Sequence, residues 1–293
     1  MDNLAPEAVQ NEKQRRQAMW DALPKDGSSQ ITQAVPPDVL RNLRVYGGAQ
    51  GCWVDVENTR LEQPYGTTVG VLHTGRHYAD DLGDDGITYH YPSTRRQAGR
   101  DTSEIEATKN CSRFDLPLFV VTQPNDKYRQ VRRGWVTAWS DEQQAFFISF
   151  VAPEVGPPLT DEDFKKVDDT QLESAWRKTL KRVGGRAFRF ATFARYGREC
   201  VFCPIRRDEA LDAMHVKGHA ETGPMHELNG LPGCKTHHVL FDSGLILIHP
   251  NTLAIECGEK NETLQPLGVT KQSLCSLPAT PYMRWRGCEG TAK

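Results

Sequence analysis

The alternation of apolar and polar positions divides the chain into a helical start, a strand-rich middle and a mixed end. Residues 7–23 predict a helix, and a second short helix follows the Pro36–Pro37 pair. From 43 to 152, five or six short runs rich in β-branched and aromatic residues are separated by Gly, Asp and Pro, which is typical of strands and turns. A helix over 101–114 interrupts them, so the region is predicted to form a small, partly closed barrel around one helix.

The second half of the chain begins with a Pro-rich stretch and two capping-box patterns, which predict a helical linker over 153–185. Residues 186–197 predict a further helix, and residues 244–257 predict a hairpin that turns at Pro250 and Asn251. The fold class is predicted to be α+β.

Composition is that of a globular protein, since 38% of the 293 residues are apolar and 25% are charged. This length allows two domains. No apolar run approaches the roughly 20 residues of a membrane span, and the polar N-terminus lacks the apolar core of a signal peptide. Five of the eight cysteines are scattered without a disulfide framework, which favours a reducing cytoplasm.

The net charge of −2 provides no overall attraction to nucleic acid, so any electrostatic contact must be local. Residues 176–198 carry eight arginines or lysines and no acidic residue. Arg186 and Arg189 within this stretch are therefore candidates for contact with DNA phosphates. A solvated basic helix face is the alternative interpretation.

Residues 200–249 contain two short pairs of metal-binding residue types, C-x2-C followed by C-x2-H. Three thiols and an imidazole suit a tetrahedral Zn²⁺, and the two intervening residues let both members of a pair face one ion. The four residues are Cys200, Cys203, Cys234 and His237. The alternative is that they are unligated core residues.

A second pair of residues follows directly. His238 and Asp242 are spaced i and i+4, which would place an imidazole and a carboxylate on one face of a helix.

The order of residues in this stretch resembles that of the HNH nucleases, whose metal finger consists of two strands and a helix held by a zinc knuckle. His215 stands at the family's first His, Asn229 at its Asn and His238 at its last His, and the run "HHVLFDSGLILI" follows the second half-knuckle. The resemblance implies a zinc-stabilised ββα domain over 186–258 that hydrolyses phosphodiester bonds.

The resemblance also implies a role for each residue, and the chemistry suits these roles. His215 would take the proton from the attacking water, since a neutral imidazole is a good base near pH 7. His238 would ligate a catalytic Mg²⁺ or Mn²⁺ with Asp242 as its partner. Asn229 would hold the loop that orients His215 through side-chain to backbone hydrogen bonds. The alternatives are a core histidine at 215, a turn at Asn229–Gly230 and a helix cap at Asp242.

Met214 departs from the family pattern. Many family members place Asp or His, as a second metal ligand, directly before the first His, and a thioether is a poor ligand for a hard cation. Either Asp242 or water completes the coordination of the ion, or catalysis is impaired. His219 and His226 are weaker candidates to replace this ligand.

The strand-rich region resembles, less specifically, the SRA domains, which read modified cytosine in DNA by flipping the base into a pocket. The resemblance rests on "VGVLHTGRHYADDLGDDGITYHYPS", a helix carrying Asn110, "LPLFVV" and "RRGWVTAWS". It places the pocket at Tyr78, Asp81 and Tyr91, where stacking and a carboxylate acceptor suit a flipped cytosine. The alternative is that these are ordinary strand aromatics and a solvated acidic turn.

The loop after Tyr91 reads PSTRRQAGRD, where the SRA domains have a glycine-rich turn, so the base preference does not follow from the resemblance. Arg95, Arg96 and Arg100 in this loop are candidates for phosphate contact.

Together the two resemblances imply a modification-dependent (type IV-like) restriction endonuclease of the prokaryotic cytoplasm. The expected organisation is a helical arm (1–42), an SRA/PUA-like β-barrel recognition domain (43–152), a helical linker (153–185), an HNH domain (186–258) and a C-terminal extension (259–293). The substrate would be double-stranded DNA carrying 5-methyl- or 5-hydroxymethylcytosine. Cleavage of both strands needs two active sites, so a homodimer is expected.

Two alternative functions follow from the same residues. One is an HNH nuclease that reads unmodified nucleic acid or another modification. The other is a non-catalytic, zinc-stabilised DNA-binding protein, which Met214 favours.

Overall fold

The computed structural model shows a mixed α+β protein with two compact units, Met1–Pro153 and Glu154–Lys293. It describes residues 6–25, 31–48, 51–59, 65–75, 81–93, 99–152, 184–217, 225, 227–249, 251–258 and 263–274. None of the helices in these ranges has the length and apolar character needed to cross a lipid bilayer.

The first unit contains four helices and seven strands in its described ranges. They are α1 (Pro6–Ala22), α2 (Pro37–Asn42), β1 (Gly51–Val54), α3 (Val56–Thr59), β2 (Thr68–His73), β3 (Asp81–Leu82), β4 (Gly86–His90), α4 (Arg100–Arg113), β5 (Leu118–Thr122), β6 (Gln130–Ser140) and β7 (Ala145–Ser149).

The seven strands form one curled, half-barrel sheet in the order β1-β2-β5-β6-β7-β4-β3. Strands β2 and β5 are parallel, with Gly70 opposite Phe119, and the other neighbours are antiparallel. A parallel pair needs a long crossover, which here contains β3, β4 and α4. The outer strands β1 and β3 are not paired with each other in the described ranges, so closure into an SRA-like barrel stays a prediction.

Strand β5 is buried on both faces. Leu118 and Val120 belong to an apolar core that also contains residues of α4, whereas Phe119 and Val121 belong to a second core with residues of α1. Successive side chains of a strand point to opposite faces, so each of these two helices covers one side of the sheet. This double burial explains why β5 reads as a continuous apolar run.

The structure confirms the predicted helices over 7–23 and 101–114 and the short helix after Pro37. The sequence also predicts a strand in the first β-rich run, residues 43–56, and this prediction was wrong in extent, because only Gly51–Val54 joins the sheet. Val45 and Tyr46 instead pack as core residues, and the carbonyl of Val45 lies so close to Gly70 that a Cβ there would be 2.8 Å from it. The two-residue strand β3 was not predicted.

Helix α1 is anchored to the sheet by a fully buried arginine. Arg16 is 0% exposed, and its guanidinium lies 2.7 Å from Glu12 Oε1. It also donates hydrogen bonds to the carbonyl oxygens of Thr68 and Pro117 and to the hydroxyl of Thr67. A buried charge is tolerated only when it is paired and hydrogen-bonded, so these contacts fix α1 to β2 and to the segment before β5.

Replacing Arg16 with methionine is expected to lower the free energy of unfolding by about 3–5 kcal/mol, because the carbonyl oxygens of Thr68 and Pro117 would lose this donor and buried Glu12 would keep only its contact with Arg15. The exposed ion pair between Lys13, on the same helix, and Asp115 is a matched control. Lys13→Met should cost about 0–1 kcal/mol. Urea denaturation followed by tryptophan fluorescence measures both variants, and equal losses would contradict the anchoring role of Arg16.

The second unit contains two helices, two hairpins and two short 3₁₀ turns in its described ranges. The helices and strands are α5 (Gly185–Tyr196), β8 (Leu211–His215), β9 (Gly230–Cys234), α6 (Lys235–Asp242), β10 (Ile246–Ile248) and β11 (Ile255–Cys257).

One apolar core, which includes Phe193, Phe202 and Phe241, joins these elements. The predicted helix over 186–197 and the predicted hairpin over 244–257 are confirmed, since α5 occupies the first range and β10 pairs antiparallel with β11. The two predicted linker helices, before residue 184, lie outside the described residues, as does the end of the chain after residue 274.

Candidate active site

Strands β8 and β9 and helix α6 form a ββα unit that carries the residues predicted to be catalytic. Strand β8 ends at His215, which pairs with Gly230 at the start of β9. Strand β9 runs directly into α6, with Cys234 as its N-cap residue. His237 and His238 therefore lie in the first turn of α6, within a few residues of the end of β9.

The four predicted zinc ligands come together in the core of the unit. Their ligand atoms all lie within 4.8 Å of one another, and all four residues are buried. The Nδ1 atom of His237 lies 3.1 Å from the sulfur of Cys234 and 3.5 Å from that of Cys200. The Nε2 atom of His237 lies 3.1 Å from the carbonyl oxygen of Leu267, which orients the ring. This Cys3His cluster has the donor set and the burial of a structural metal site.

Burial favours the neutral forms of Cys203, Cys234 and His237 when no cation is bound. Burial, together with the neighbouring thiols, raises the pKa of Cys203 to about 12 and raises that of Cys234 as well. Burial also lowers the pKa of His237. A neutral imidazole is ready to bind a metal, whereas each thiol must first release its proton, so binding of a metal would release protons.

Asn229 holds the chain just beyond β8. It is 0% exposed, its Oδ1 accepts a hydrogen bond of 2.8 Å from the backbone N–H of Lys217, and its Nδ2 donates one of 3.0 Å to the carbonyl of Lys217. Its own carbonyl accepts from the N–H of Val216. These are the side-chain to backbone bonds that the predicted role requires, and they fix the two residues that follow His215.

His215 lies against helix α5. Its ring stacks on Phe188 with centroids 4.2 Å apart and an interplanar angle of 11°. The helix approaches closely because Gly230 has no side chain: a Cβ there would lie 2.2 Å from Thr192 Oγ1. Gly230 therefore allows α5 to pack closely on the start of β9. The adjacent pair Asn229–Gly230 had also been compatible with a turn at this position.

His238 lies between two carboxylates. Its Nε2 is 3.2 Å from Oδ2 of Asp242, as the i, i+4 spacing predicted, and its Nδ1 is 3.4 Å from Oδ2 of Asp212 on β8. The ring of His238 on α6 thus has an aspartate at each of its two nitrogens, whereas the ring of His215 contacts α5. An imidazole with neighbouring carboxylates suits a divalent cation such as Mg²⁺ or Mn²⁺ better than the thiol-rich cluster does.

A comparison with protein-family models identifies this part of the chain. Residues 200–249, which include the Cys3His cluster, the hairpin and α6, match the family model for HNH endonuclease. The segment is an HNH endonuclease domain. None of the curated proteins matches the chain significantly.

Several solved structures show weak similarity to the chain. A modification-dependent TagI restriction endonuclease is 17% identical, with a TM-score of 0.34 and coverage of 89% of this chain and 92% of that one. KRYPTONITE in complex with mCHH DNA is 13% identical, with a TM-score of 0.32 and coverage of 52% and 39%. The type IV phosphorothioation-dependent restriction endonuclease ScoMcrA is 15% identical, with a TM-score of 0.26 and coverage of 71% and 54%. TM-scores this low establish no common fold.

Met214 is a core residue of the HNH domain. It is 0% exposed, and its sulfur occupies the space above Gly233, where a Cβ would lie 2.1 Å from it. Its packing explains why a thioether stands at this position. The two histidines considered as replacement ligands, His219 and His226, lie outside the described residues.

The described arginines among those predicted to contact phosphates make different contacts. Arg189 of α5 donates hydrogen bonds to the carbonyl oxygens of Leu211 and Asp208, so it ties α5 to the start of β8. Arg100 is exposed and lies 3.5 Å from Glu104. Arg186 lies in the first turn of α5, and Arg95 and Arg96 lie outside the described residues.

The predicted base pocket is described only at Tyr91, because Tyr78 and the side chain of Asp81 lie outside the described part of the chain. The ring of Tyr91 is 4.4 Å from that of Phe146 between centroids, and its hydroxyl donates a hydrogen bond of 2.8 Å to Asp141. Burial and the Asp141 carboxylate raise the pKa of this phenol well above its usual range. The pocket stays a prediction.

Sequence reasoning missed two residues of the site, Asp212 and Phe188. Asp212 is a carboxylate inside the otherwise apolar run of β8, which is the one signal that could have marked it. Phe188 gave no such signal, because an aromatic residue on an amphipathic helix is usually part of a core.

Proposed function

We propose that this protein is a modification-dependent DNA endonuclease, in which the HNH domain cleaves the backbone and the first unit reads a modified cytosine. The nuclease half rests on the ββα unit, in which His215 ends β8 and His238 of α6 lies between the carboxylates of Asp212 and Asp242. These are a base and a cation-binding group, the two functions that phosphodiester hydrolysis requires.

In this mechanism His215 takes the proton of the attacking water. Stacking on Phe188 sets the plane of the imidazole, and the hydrogen bonds of Asn229 to Lys217 hold the chain that follows it. A divalent ion held by His238 and a neighbouring carboxylate would supply positive charge to the phosphate oxygens. The ring of the base and the backbone that follows it are thus both fixed before the substrate binds.

The Cys3His cluster has a different role in the proposal. Three thiols and one imidazole favour Zn²⁺, and the burial of all four groups is typical of a closed structural site without an open position for substrate. We assign zinc to the folding of the domain and Mg²⁺ or Mn²⁺ to its catalysis.

The first unit is proposed to flip and bind the modified base. This half rests on the sequence resemblance, with Tyr78 and Tyr91 as stacking groups and Asp81 as the acceptor for the exocyclic amine of cytosine. Since two strands must be cut, two copies of the chain would act on one double-stranded site.

Cleavage of matched duplexes that contain cytosine, 5-methylcytosine or 5-hydroxymethylcytosine tests the proposal. With Mg²⁺ or Mn²⁺ present, we expect cutting only of modified DNA. Tyr78→Ala should reduce this preference about tenfold or more, because one stacking contact is worth about 1–3 kcal/mol. Tyr128→Ala, which removes an exposed tyrosine outside the proposed pocket, is the matched control.

Each alternative function has its own outcome in the same assay. Equal cutting of all duplexes would retain the nuclease and refute the cytosine reader. DNA binding without cutting under any of these metal ions would refute the enzyme and favour a zinc-stabilised DNA-binding protein.

A further inference from the structure

His238 contacts two aspartates, and only one of them was expected to share its ion. Oδ2 of Asp212 lies 3.4 Å from Nδ1 of the ring, and Oδ2 of Asp242 lies 3.2 Å from Nε2. The two carboxylates therefore occupy opposite edges of one imidazole. A single ion bound to one nitrogen cannot use both of them in the same way.

A histidine that ligates a metal uses one ring nitrogen and donates the N–H of the other to a carboxylate or carbonyl oxygen. His237 in the same domain shows this division, with Nδ1 toward the thiols and Nε2 next to the carbonyl of Leu267. One aspartate beside His238 should accordingly share the ion, and the other should hold the ring.

We propose that the catalytic ion binds between Asp212 and Nδ1 of His238, while Asp242 accepts the Nε2–H and orients the ring. This assignment rests on the proposed nuclease function and changes which carboxylate is the ligand. Asp212 becomes a metal-binding residue and Asp242 a positioning residue.

Distance alone admits either carboxylate as the ligand. Neighbouring ligands of a six-coordinate ion with bonds of about 2.1 Å are ~3.0 Å apart. The 3.4 Å between Asp212 Oδ2 and His238 Nδ1 and the 3.2 Å between Asp242 Oδ2 and His238 Nε2 are both close to that spacing.

The positions of the two aspartates on the scaffold decide between them and favour Asp212. It lies on β8, the strand that ends at the proposed base His215, and its backbone is fixed opposite Gly233 of β9. Asp242 is the last residue of α6, and its side chain is 50% exposed against 36% for Asp212. An ion held at Asp212 would therefore be held by the same rigid hairpin as the base.

Asp212 also compensates for Met214. The two residues are two positions apart, so they belong to the same face of β8. Met214 fills the core next to Gly233, whereas Asp212 reaches His238. The strand thus offers a carboxylate on the face where the thioether offers no ligand for a hard cation.

Binding of Mn²⁺ to the zinc-loaded protein without DNA, followed by the electron paramagnetic resonance of the free ion, tests the assignment. Asp242→Asn should weaken binding about 10–100-fold, as expected when an orienting carboxylate is lost. Asp212→Asn should weaken it more, because the ligand itself is removed. Asp208→Asn, at an exposed aspartate that pairs with Arg198, is the control and should bind like the wild type.

Equal losses in the two variants, or a larger loss for Asp242→Asn, would overturn the assignment. A second readout is the tautomer of His238 in ¹⁵N nuclear magnetic resonance spectra with Mg²⁺, where the proton should be on Nε2 and a proton on Nδ1 would overturn it. Neither readout uses DNA, so absence of cleavage would refute the proposed function while leaving the ligand assignment to these two measurements.

Discussion

Loss of the Cys3His metal site should unfold the HNH domain and leave the sheet of the first unit folded. Metal binding to such sites contributes about 10–16 kcal/mol in zinc-finger peptides, which is as large as the roughly 5–15 kcal/mol that stabilises a whole domain. Cys234 joins β9 to α6 and His237 is in the first turn of that helix, so the site links the strand pair to the helix that carries His238. Cys234→Ala, or a strong zinc chelator, should therefore also abolish DNA cleavage.

Hydrogen exchange followed by mass spectrometry locates the effect along the chain. Peptides from β8, β9 and α6 should lose protection in Cys234→Ala, whereas peptides from β5 and β7 should keep it. Cys257→Ala is the control, because this cysteine is half-buried in β11 and is not a member of the cluster. Zinc content of the purified protein should fall in Cys234→Ala only. Retained protection in a zinc-free protein would contradict a structural role for the metal.

Replacement of His215 by alanine should reduce the rate of DNA cleavage by about 10²–10⁴-fold, the usual contribution of a general base. DNA binding and zinc content should change little, since His215 is not a member of the Cys3His cluster. Single-turnover cleavage rates with saturating enzyme measure the chemical step directly.

His249→Asn is the matched control for this variant. His249 lies in the turn between β10 and β11, where its Nδ1 accepts backbone hydrogen bonds from Asn251 and Thr252, and asparagine can supply a similar acceptor. Its cleavage rate should equal that of the wild type. Added imidazole should partly restore cleavage by His215→Ala, and an undiminished rate in His215→Ala without imidazole would exclude it as the base.

The chemistry of the HNH domain was accessible from sequence because its signals are local. The pairs Cys200–Cys203 and Cys234–His237 each place two ligands on one turn, and the i, i+4 spacing of His238 and Asp242 needs only a helix to bring them together. The structure brings the four ligands into one cluster and places Asp242 beside His238.

The hydrogen bonds of Asn229 to the backbone were also predictable, because a buried amide can satisfy an irregular backbone. In the structure, its side chain accepts a hydrogen bond from the N–H of Lys217 and donates one to the carbonyl of Lys217. Its glycine neighbour was ambiguous, and only the packing of α5 shows that Gly230 is needed for close approach.

Other features depended on contacts between residues distant in the chain. Asp212 and His238 are separated by 26 positions, and their contact depends on how α6 packs on β8. The buried guanidinium of Arg16 donates to the carbonyl groups of Thr68 and Pro117, which lie 52 and 101 positions further along the chain. A local sequence pattern does not specify contacts between residues so far apart in the chain, because these contacts follow from strand register and helix packing.

The sequence by itself determined the secondary structure of most described segments, the four members of the Cys3His cluster and the order His215, Asn229, His238. These rest on periodicity, ligand spacing and residue chemistry, which act over a few positions. Only the tertiary structure decided that Val45 and Tyr46 fill a core instead of extending β1, that His215 stacks on Phe188, and that a second aspartate flanks His238. The physical reason is that burial and side-chain contact across elements are set by the packing of the whole unit and not by the chain on either side of a residue.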